Sequence, residues 1–386
     1  MKTTPQKILL IVNPVSGRMK STSGLCEILD ELYRDDPAED ILPFSDADTD
    51  EAAPYVPLSR EAEASEKKPV LRAVAKPVGK ASGKSPAAPA PLTVLTPAPA
   101  VPLGGEPNPD RRVTVAPTMH RGHASRMAMT AAEEGYDTVI CCGGDGTFNE
   151  TVAGLMQVPL RERPVLGYIP AGSTNDFAAT MGLSANLRES ARVAVGSHET
   201  AIDVGLFSPL GMNKRPARHF TYIASFGAFT AASYSTSQTA KNLFGHLAYL
   251  VAGVKDVANI QARHAVFDLP DGRRIEGDFA FGAVTNTTSA GGVIKLPSER
   301  VSLSDGVMEL FLIRMPKTPL DLQRIATALL SQDPDSCPLI ELHHVKSVRV
   351  LLDDNLSWSL DGEEAMGGRR VEIRCLHSGV RLKTPQ

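Results

Sequence analysis

Little in this chain suits a cross-linked, membrane-spanning or nucleic-acid-binding protein. Cysteine is scarce: Cys26, Cys141, Cys142, Cys337 and Cys375 are all there are in 386 residues, with no C-x-x-C spacing. That argues against zinc knuckles and a disulfide framework. Cys141 and Cys142 read as small apolar strand residues. Long apolar runs are missing as well, since nothing approaches the ~18 residues needed to cross a bilayer as a helix. The opening MKTTPQKILLIVNP reads as a short strand and a turn, without the h-region and cleavage site of a secretory signal. A cytoplasmic protein is expected. Lys+Arg number 40 against 44 Asp+Glu, a net charge of −4, so no electrostatic argument favours a nucleic-acid partner.

Two common nucleotide signatures are absent. A Walker A loop needs G-x-x-x-x-G-K-[ST], and Ser16-Gly17-Arg18-Met19-Lys20-Ser21 lacks the second glycine before its lysine. A dinucleotide fingerprint begun at Gly144 and Gly146 would need its third glycine at Asn149, where an amide side chain obstructs helix–sheet packing.

What is present is concentrated in residues 138–154, TVICCGGDGTFNETVAG. Thr138 to Cys142 form a continuous apolar or β-branched run, as a strand covered on both faces requires. Gly143, Gly144 and Gly146 would let backbone amides approach a phosphate beside the positive end of a helix starting near Thr147. One acid, Asp145, sits among those glycines, and it would repel a phosphate unless a metal or a proton-carrying group intervened. The turn alone also fits an ordinary strand–turn–helix junction with a capping Asp.

The surrounding pattern predicts strands at Lys7–Val12, Arg112–Ala116 and Val165–Ile169, with helices at Thr22–Tyr33 and His123–Glu134. Alternation of this kind implies right-handed βαβ crossovers and a mostly parallel, doubly wound sheet. From about Asp203 the pattern changes to short strands separated by turns such as Asp271-Gly272 and Asp305-Gly306, with one helical stretch at 239–259. An antiparallel β-rich second domain follows. The expected α/β division is residues 1–200 and 201–376.

Residues 46–110 form an insert that becomes Pro/Ala-rich at Ser85–Pro91 and Thr96–Pro102. Proline removes donors and alanine buries little area, so the expectation is a disordered or polyproline-like excursion. Its Lys67, Lys68, Arg72, Lys76, Lys80 and Lys84 are either part of a solvated linker or touch anionic lipid, at up to ~1 kcal/mol each near a charged surface.

Asn13-Pro14-Val15-Ser16-Gly17, Gly143-Gly144-Asp145-Gly146-Thr147-Phe148-Asn149-Glu150 and Pro170-Ala171-Gly172-Ser173-Thr174-Asn175-Asp176-Phe177-Ala178 resemble three successive motifs of the diacylglycerol kinase catalytic domain. Tyr234-Ser235-Thr236, Lys241–Tyr249, Ser304-Asp305-Gly306 and Asp361-Gly362-Glu363 are similar to the soluble bacterial branch of that family. The resemblance covers nearly the whole chain outside the insert. It implies a nucleotide domain like that of NAD kinase and phosphofructokinase, sites in an interdomain cleft, and a terminal strand at 377–386 that returns to the first domain.

The same resemblance implies roles for individual residues. Asn13, Pro14, Ser16, Gly17, Thr118, Gly143, Gly144, Asp145, Gly146, Thr147, Asn149 and Ser173 would surround ATP. Near Thr118, the acid usual in the family is replaced by His123. Asp145 would order the catalytic Mg2+ that ATP carries, and Glu363 would be the general base that deprotonates the lipid hydroxyl. Read from the residues alone, Asp361 and Glu363 are equally well polar hairpin residues. A second, structural Mg2+ is implied at Ser302, Asp305 and Val307, for which a metal-free Asp-Gly turn is the alternative. Phe226, Phe229, Phe244, Leu247, Leu250 and Val251 are candidates either for an acyl-chain cleft or for core. The expected activity is ATP-dependent phosphorylation of diacylglycerol to phosphatidate, with transient peripheral membrane contact. Sphingosine, ceramide or phosphatidylglycerol as acceptor, NAD kinase, and a catalytically silent lipid-binding regulator are the alternatives. The sequence leaves monomer and homodimer open.

Overall fold

The computed structural model describes residues 5–20, 22–33, 110–173, 175–211, 216–227, 261–290 and 294–386. Most of the insert, the helix expected at 239–259, Tyr234–Thr236, Lys241–Tyr249, Thr174, and the acyl-cleft candidates Phe229, Phe244, Leu247, Leu250 and Val251 lie outside these residues.

The first half alternates strands β1 (Gln6–Val12), β2 (Arg111–Pro117), β3 (Thr138–Gly143) and β4 (Val165–Pro170) with helices α1 (Thr22–Leu32), α2 (His123–Glu133) and α3 (Asp145–Leu155). The four strands pair in parallel in the order β2-β1-β3-β4. Alternate residues of β1 serve two cores. Ile8, Leu10 and Val12 pack with Ile28 and Leu32 of α1, while Leu9 and Ile11 pack with Met127 of α2 and Phe148 of α3. Both faces are therefore covered, which is why these strands read as unbroken apolar runs. Short helices α4 (Asp176–Thr180) and α5 (Leu187–Ala194) follow β4.

The second half is antiparallel. It holds β5 (Glu199–Pro209), β6 (Arg218–Phe220), β7 (Ile223–Gly227), β8 (Arg263–Asp268), β9 (Arg274–Thr285), a two-residue pair β10 (Ser289–Ala290) and β11 (Ile294–Lys295), and β12 (Met308–Arg314). After α6 (Pro319–Leu330) come β13 (Ile340–Val345), β14 (Ser347–Leu360) and β15 (Glu363–Lys383). Helix α6 opens on a reciprocal cap, with Asp321 N donating to Thr318 Oγ1 and Thr318 N to Asp321 Oδ2. The core here is aromatic: Trp358 meets Phe226 and Phe207 at ring centroid distances of 4.9 and 5.2 Å. Phe226 is thus core, not the wall of an acyl-chain cleft.

Strand β15 joins the halves. It leaves a hairpin with β14, runs antiparallel to β5, and at Leu382 pairs in parallel with Leu166 of β4. Its register against β5 shifts between Leu376 and Val380, where Ser378 takes a positive φ of 52°. That bulge lets one strand serve neighbours of different direction.

Candidate active site

In the parallel sheet, β1 leads outward to β2 on one side, whereas β3 leads to β4 on the other. The strand order reverses between β1 and β3, and the crevice beyond their carboxyl ends is the place where open α/β sheets take ligands. Nearly all the residues expected around a nucleotide meet there. Asn13 Nδ2 donates to Thr147 Oγ1 at 2.9 Å, tying the loop after β1 to α3. Ser16 Oγ and Arg18 N both donate to Ala171 O at 3.1 Å, and Thr118 N donates to Val12 O at 2.8 Å. A Cβ on Gly172 would stand 2.6 Å from Gly144 Cα, and one on Gly143 would stand 2.7 Å from Thr147 Cβ. Close approach therefore demands glycine at 172, against the Gly144 backbone, and at 143, against the Thr147 side chain. Gly146 is different, since a Cβ there would meet nothing within 4 Å. Ser173, Pro14 and Gly17 lie exposed on the rim.

Asp145 differs from its expected place in the middle of a turn. The helix starts earlier than Thr147: Gly144 is the N-cap and Asp145 the first helical residue, because an acid is favoured at the positive end of a helix. Its Oδ2 accepts from Asp176 N at 3.3 Å. Its Oδ1 is buried with no partner among the described residues. Burial pushes the carboxyl up, opposed by the backbone amides of Asp176, Phe177 and Asn175. Asn175 stands in the left-handed region at φ 53° and exchanges two 3.0 Å hydrogen bonds with Gly172. That local lock aims the α4 amides at Asp145. His123 plays no part at the carboxylate; its Nδ1 accepts from Met119 N at 3.1 Å, and its ring stacks on His120.

The opposing wall is the β14–β15 hairpin. Leu360 pairs with Glu363 across the two-residue turn Asp361-Gly362, and both turn residues have positive φ, 49° and 80°, as a tight hairpin needs. Asp361 faces inward. Its carboxylate accepts from Thr221 N and Oγ1, Tyr222 N and Ile223 N at 2.6, 2.8, 3.0 and 2.9 Å. This lashes the hairpin tip to the segment before β7. Glu363 points instead into a cleft of about 370 Å³, lined also by Gly146, Asn149, Glu150, Arg218 and His219. Its Oε2 meets Arg121 Nη2 at 2.6 Å and Arg218 Nη2 at 2.9 Å. Neither arginine belongs to a motif, and no sequence signal marks them; only the fold brings them to Glu363.

The loop of Ser302, Asp305 and Val307 lies apart from this cleft. Asp305 Oδ1 accepts from Val307 N at 3.1 Å, and Gly306 N donates to Asp203 Oδ2 at 2.6 Å. Asp203, fully buried, also accepts from Ser378 N at 2.7 Å. Nearby Glu309 is buried with neither carboxylate oxygen hydrogen-bonded among the described residues; His344 Nε2 stands 3.9 Å from its Oε1. No group of three His, Cys, Asp or Glu able to hold a metal gathers among the described residues.

The pattern of the diacylglycerol kinase catalytic domain matches residues 108–207, the stretch that carries the Gly-turn and the Pro170–Ala178 motif. The chain is 32% identical over 242 residues to the diacylglycerol kinase of Bacillus subtilis (strain 168), covering 63% of this chain and 76% of that protein. This chain belongs to the diacylglycerol kinase family. It is a kinase, a phosphotransferase with an alcohol acceptor. A further family relative, the "Probable lipid kinase YegS-like" of Chromohalobacter salexigens, is 34% identical over 251 residues, 65% of this chain and 77% of that one. A solved structure from Bacillus anthracis str. Sterne, assigned as a diacylglycerol kinase, superposes with a TM-score of 0.66 at 19% identity, covering 100% of this chain and 99% of that one. That likeness concerns the family's two-domain α/β fold. Among the described residues no helix is long and apolar enough to cross a membrane.

Proposed function

We propose that the chain transfers the γ-phosphoryl group of ATP to the hydroxyl of diacylglycerol, giving phosphatidate at a membrane surface. The observation that supports this reading is that Glu363 shares a cleft with Gly146 and Asn149 of α3, the helix that Asp145 opens. ATP would lie in the crevice between β1 and β3, held by Asn13, Ser16, the 143–149 turn and Ser173 through backbone amides and small hydroxyls.

The buried, unpartnered Oδ1 of Asp145 fits a Mg2+ ion carried by ATP, held directly or through water. Such an ion would neutralise charge on the phosphates. Glu363 would take the proton of the acceptor hydroxyl, a contribution typically worth about 10²–10⁴ in rate. A second, structural Mg2+ would use the Asp305 carboxylate and the backbone oxygens of Ser302 and Val307. The Asp305 carboxylate, whose Oδ1 accepts from Val307 N, would be the charged ligand.

The test is γ-labelled ATP incubated with diacylglycerol, sphingosine, ceramide and phosphatidylglycerol in mixed micelles, beside NAD. Label is expected in phosphatidate and absent from NADP. Label only in NADP would overturn the lipid reading, and label only in a sphingoid product would move the acceptor.

A further inference from the structure

Phosphoryl transfer spreads negative charge over the moving group, and enzymes meet it with cations. The residues gathered between β1 and β3 supply few. The 143–149 turn and Pro170–Ser173 carry no basic residue, and Arg18, on the loop after β1, turns Nη1 to the Ala185 carbonyl. Among the described residues, positive charge gathers instead at Glu363, where Arg121 and Arg218 converge on one carboxylate oxygen at 2.6 and 2.9 Å.

Those two arginines come from opposite halves. Arg121 sits on the loop after β2, whose Gly122 N is held by Glu150 of α3 at 2.7 Å. Arg218 opens β6 and also donates Nη1 to Glu364 O at 2.9 Å. The side chains of Arg121 and Arg218 are 72% and 36% exposed, against 27% for Glu363, so Arg121 is the freer to swing. At Glu363 one carboxylate faces two guanidinium groups, while Glu150 of the same cleft is turned to Gly122 N. Both guanidinium groups stand on Oε2: Arg218 hydrogen-bonds it, and Arg121 meets it as an ion pair.

Resting on the reading of Glu363 as the base, we propose that Arg121 and Arg218 are the cations of the transfer step, parked on Glu363 until the γ-phosphate of ATP draws them away. A phosphate dianion offers guanidinium groups more oxygens and more charge than one carboxylate. Their transfer to the γ-phosphate uncovers Oε2. The bond between γ-phosphorus and the bridging oxygen then breaks, its electron pair leaving on ADP. The acceptor oxygen bonds to phosphorus, and its proton passes to Glu363. Without a γ-phosphate the two arginines stay on Glu363, which links delivery of the cations to the presence of a group to transfer.

The experiment is calorimetric binding of Mg2+ with a non-hydrolysable ATP analogue and, separately, with ADP, to the full chain and to Arg121→Ala, Arg218→Ala, Arg218→Lys and Glu363→Gln. Each alanine variant is expected to lose about tenfold in affinity for the analogue while binding ADP as before, a charge-assisted contact to the γ-phosphate having gone. Glu363→Gln should bind the analogue more tightly than the parent, because its arginines are no longer held. Turnover should fall about 10²-fold in Arg218→Ala, with part of it restored by lysine. Equal losses for analogue and ADP, or no loss in either alanine variant, would overturn the proposal, as would unchanged analogue affinity in Glu363→Gln. Should Arg218→Ala fail to fold, Arg121→Ala carries the binding test. Normal turnover in Glu363→Gln would instead remove the base, while the nucleotide affinities of the arginine variants still decide whether these cations meet the γ-phosphate.

Discussion

Thr221 gives both its backbone amide and its hydroxyl to Oδ2 of Asp361, at 2.6 and 2.8 Å. The pair, with Tyr222 N and Ile223 N on the other oxygen, fixes the hairpin whose next side chain but one is Glu363. Removing the acceptor strands three amides and a hydroxyl in a buried place. Asp361→Ala should therefore cost ~3 kcal/mol or more by urea denaturation. Asp361→Asn, which tolerates the positive φ and keeps one acceptor oxygen, should cost less. Equal and small losses would show that the hairpin is held by its strands alone.

Base and metal ligand separate kinetically. Glu363→Gln should lower kcat by roughly 10²-fold or more with ATP affinity not weakened. Asp145→Asn should lower turnover and also raise the Mg2+ concentration needed for half-maximal rate. Steady-state kinetics over a Mg2+ series reads both. A Glu363→Gln enzyme with normal kcat would leave Asp145 as the base.

Gly146 lies in the first turn of α3 with open space where its Cβ would be. Alanine there should stabilise the fold by ~0.5–1 kcal/mol. If the phosphates lie over this turn, the same methyl group should weaken ATP binding by about tenfold, ~1.4 kcal/mol. Gly172→Ala, 2.6 Å from Gly144 Cα, should instead destabilise by ~1–3 kcal/mol. Thermal melts with and without nucleotide separate the two, and a Gly146→Ala protein with full ATP affinity would place the phosphates elsewhere.

Burial pushes the Glu309 carboxyl from 4.5 up to about 8, with the charge of Asp305 adding to the rise. His344 Nε2, at 3.9 Å, is too far to hydrogen-bond it. Because the folded value is the higher one, the contribution to stability is complete below about 4.5 and is lost as pH rises towards 8. Glu309→Gln should flatten that loss, gaining ~2 kcal/mol over the parent at the alkaline end relative to the acid end. Melting temperatures from pH 4.5 to 9 check this, and parallel curves for the two proteins would refute it.

Asp305→Asn should chiefly reduce thermal stability and its protection by Mg2+, since a bound ion stabilises only the form that holds it. Turnover at saturating Mg2+ should change little, the loop being distant from Glu363. Identical Mg2+ protection in both proteins would leave the loop an ordinary Asx turn.

Much of the parallel half was legible because its physics is local. Thr138–Cys142 reads as a covered strand from residue type alone, and Gly143–Gly144 followed by a helical run marks the crevice between β1 and β3. The ordered motifs Asn13–Gly17, Gly143–Glu150 and Pro170–Ala178 likewise point to one family from residue order alone. Helix α3 starts at Asp145, two residues before the Thr147 that the sequence pattern marks, because helix entry there depends on charge at the helix end, which the glycines around it mask. Phe226 looked equally fit for a lipid cleft or for core, and only its packing against Trp358 assigns it. What no sequence pattern determines is which side chains meet across 100 residues or more. Arg121, Arg218 and Glu363 come from a loop, a three-residue strand and a hairpin with no fixed spacing between them. Pairings of that kind are decided by how β15 stitches the antiparallel half onto β4, and therefore by tertiary structure alone.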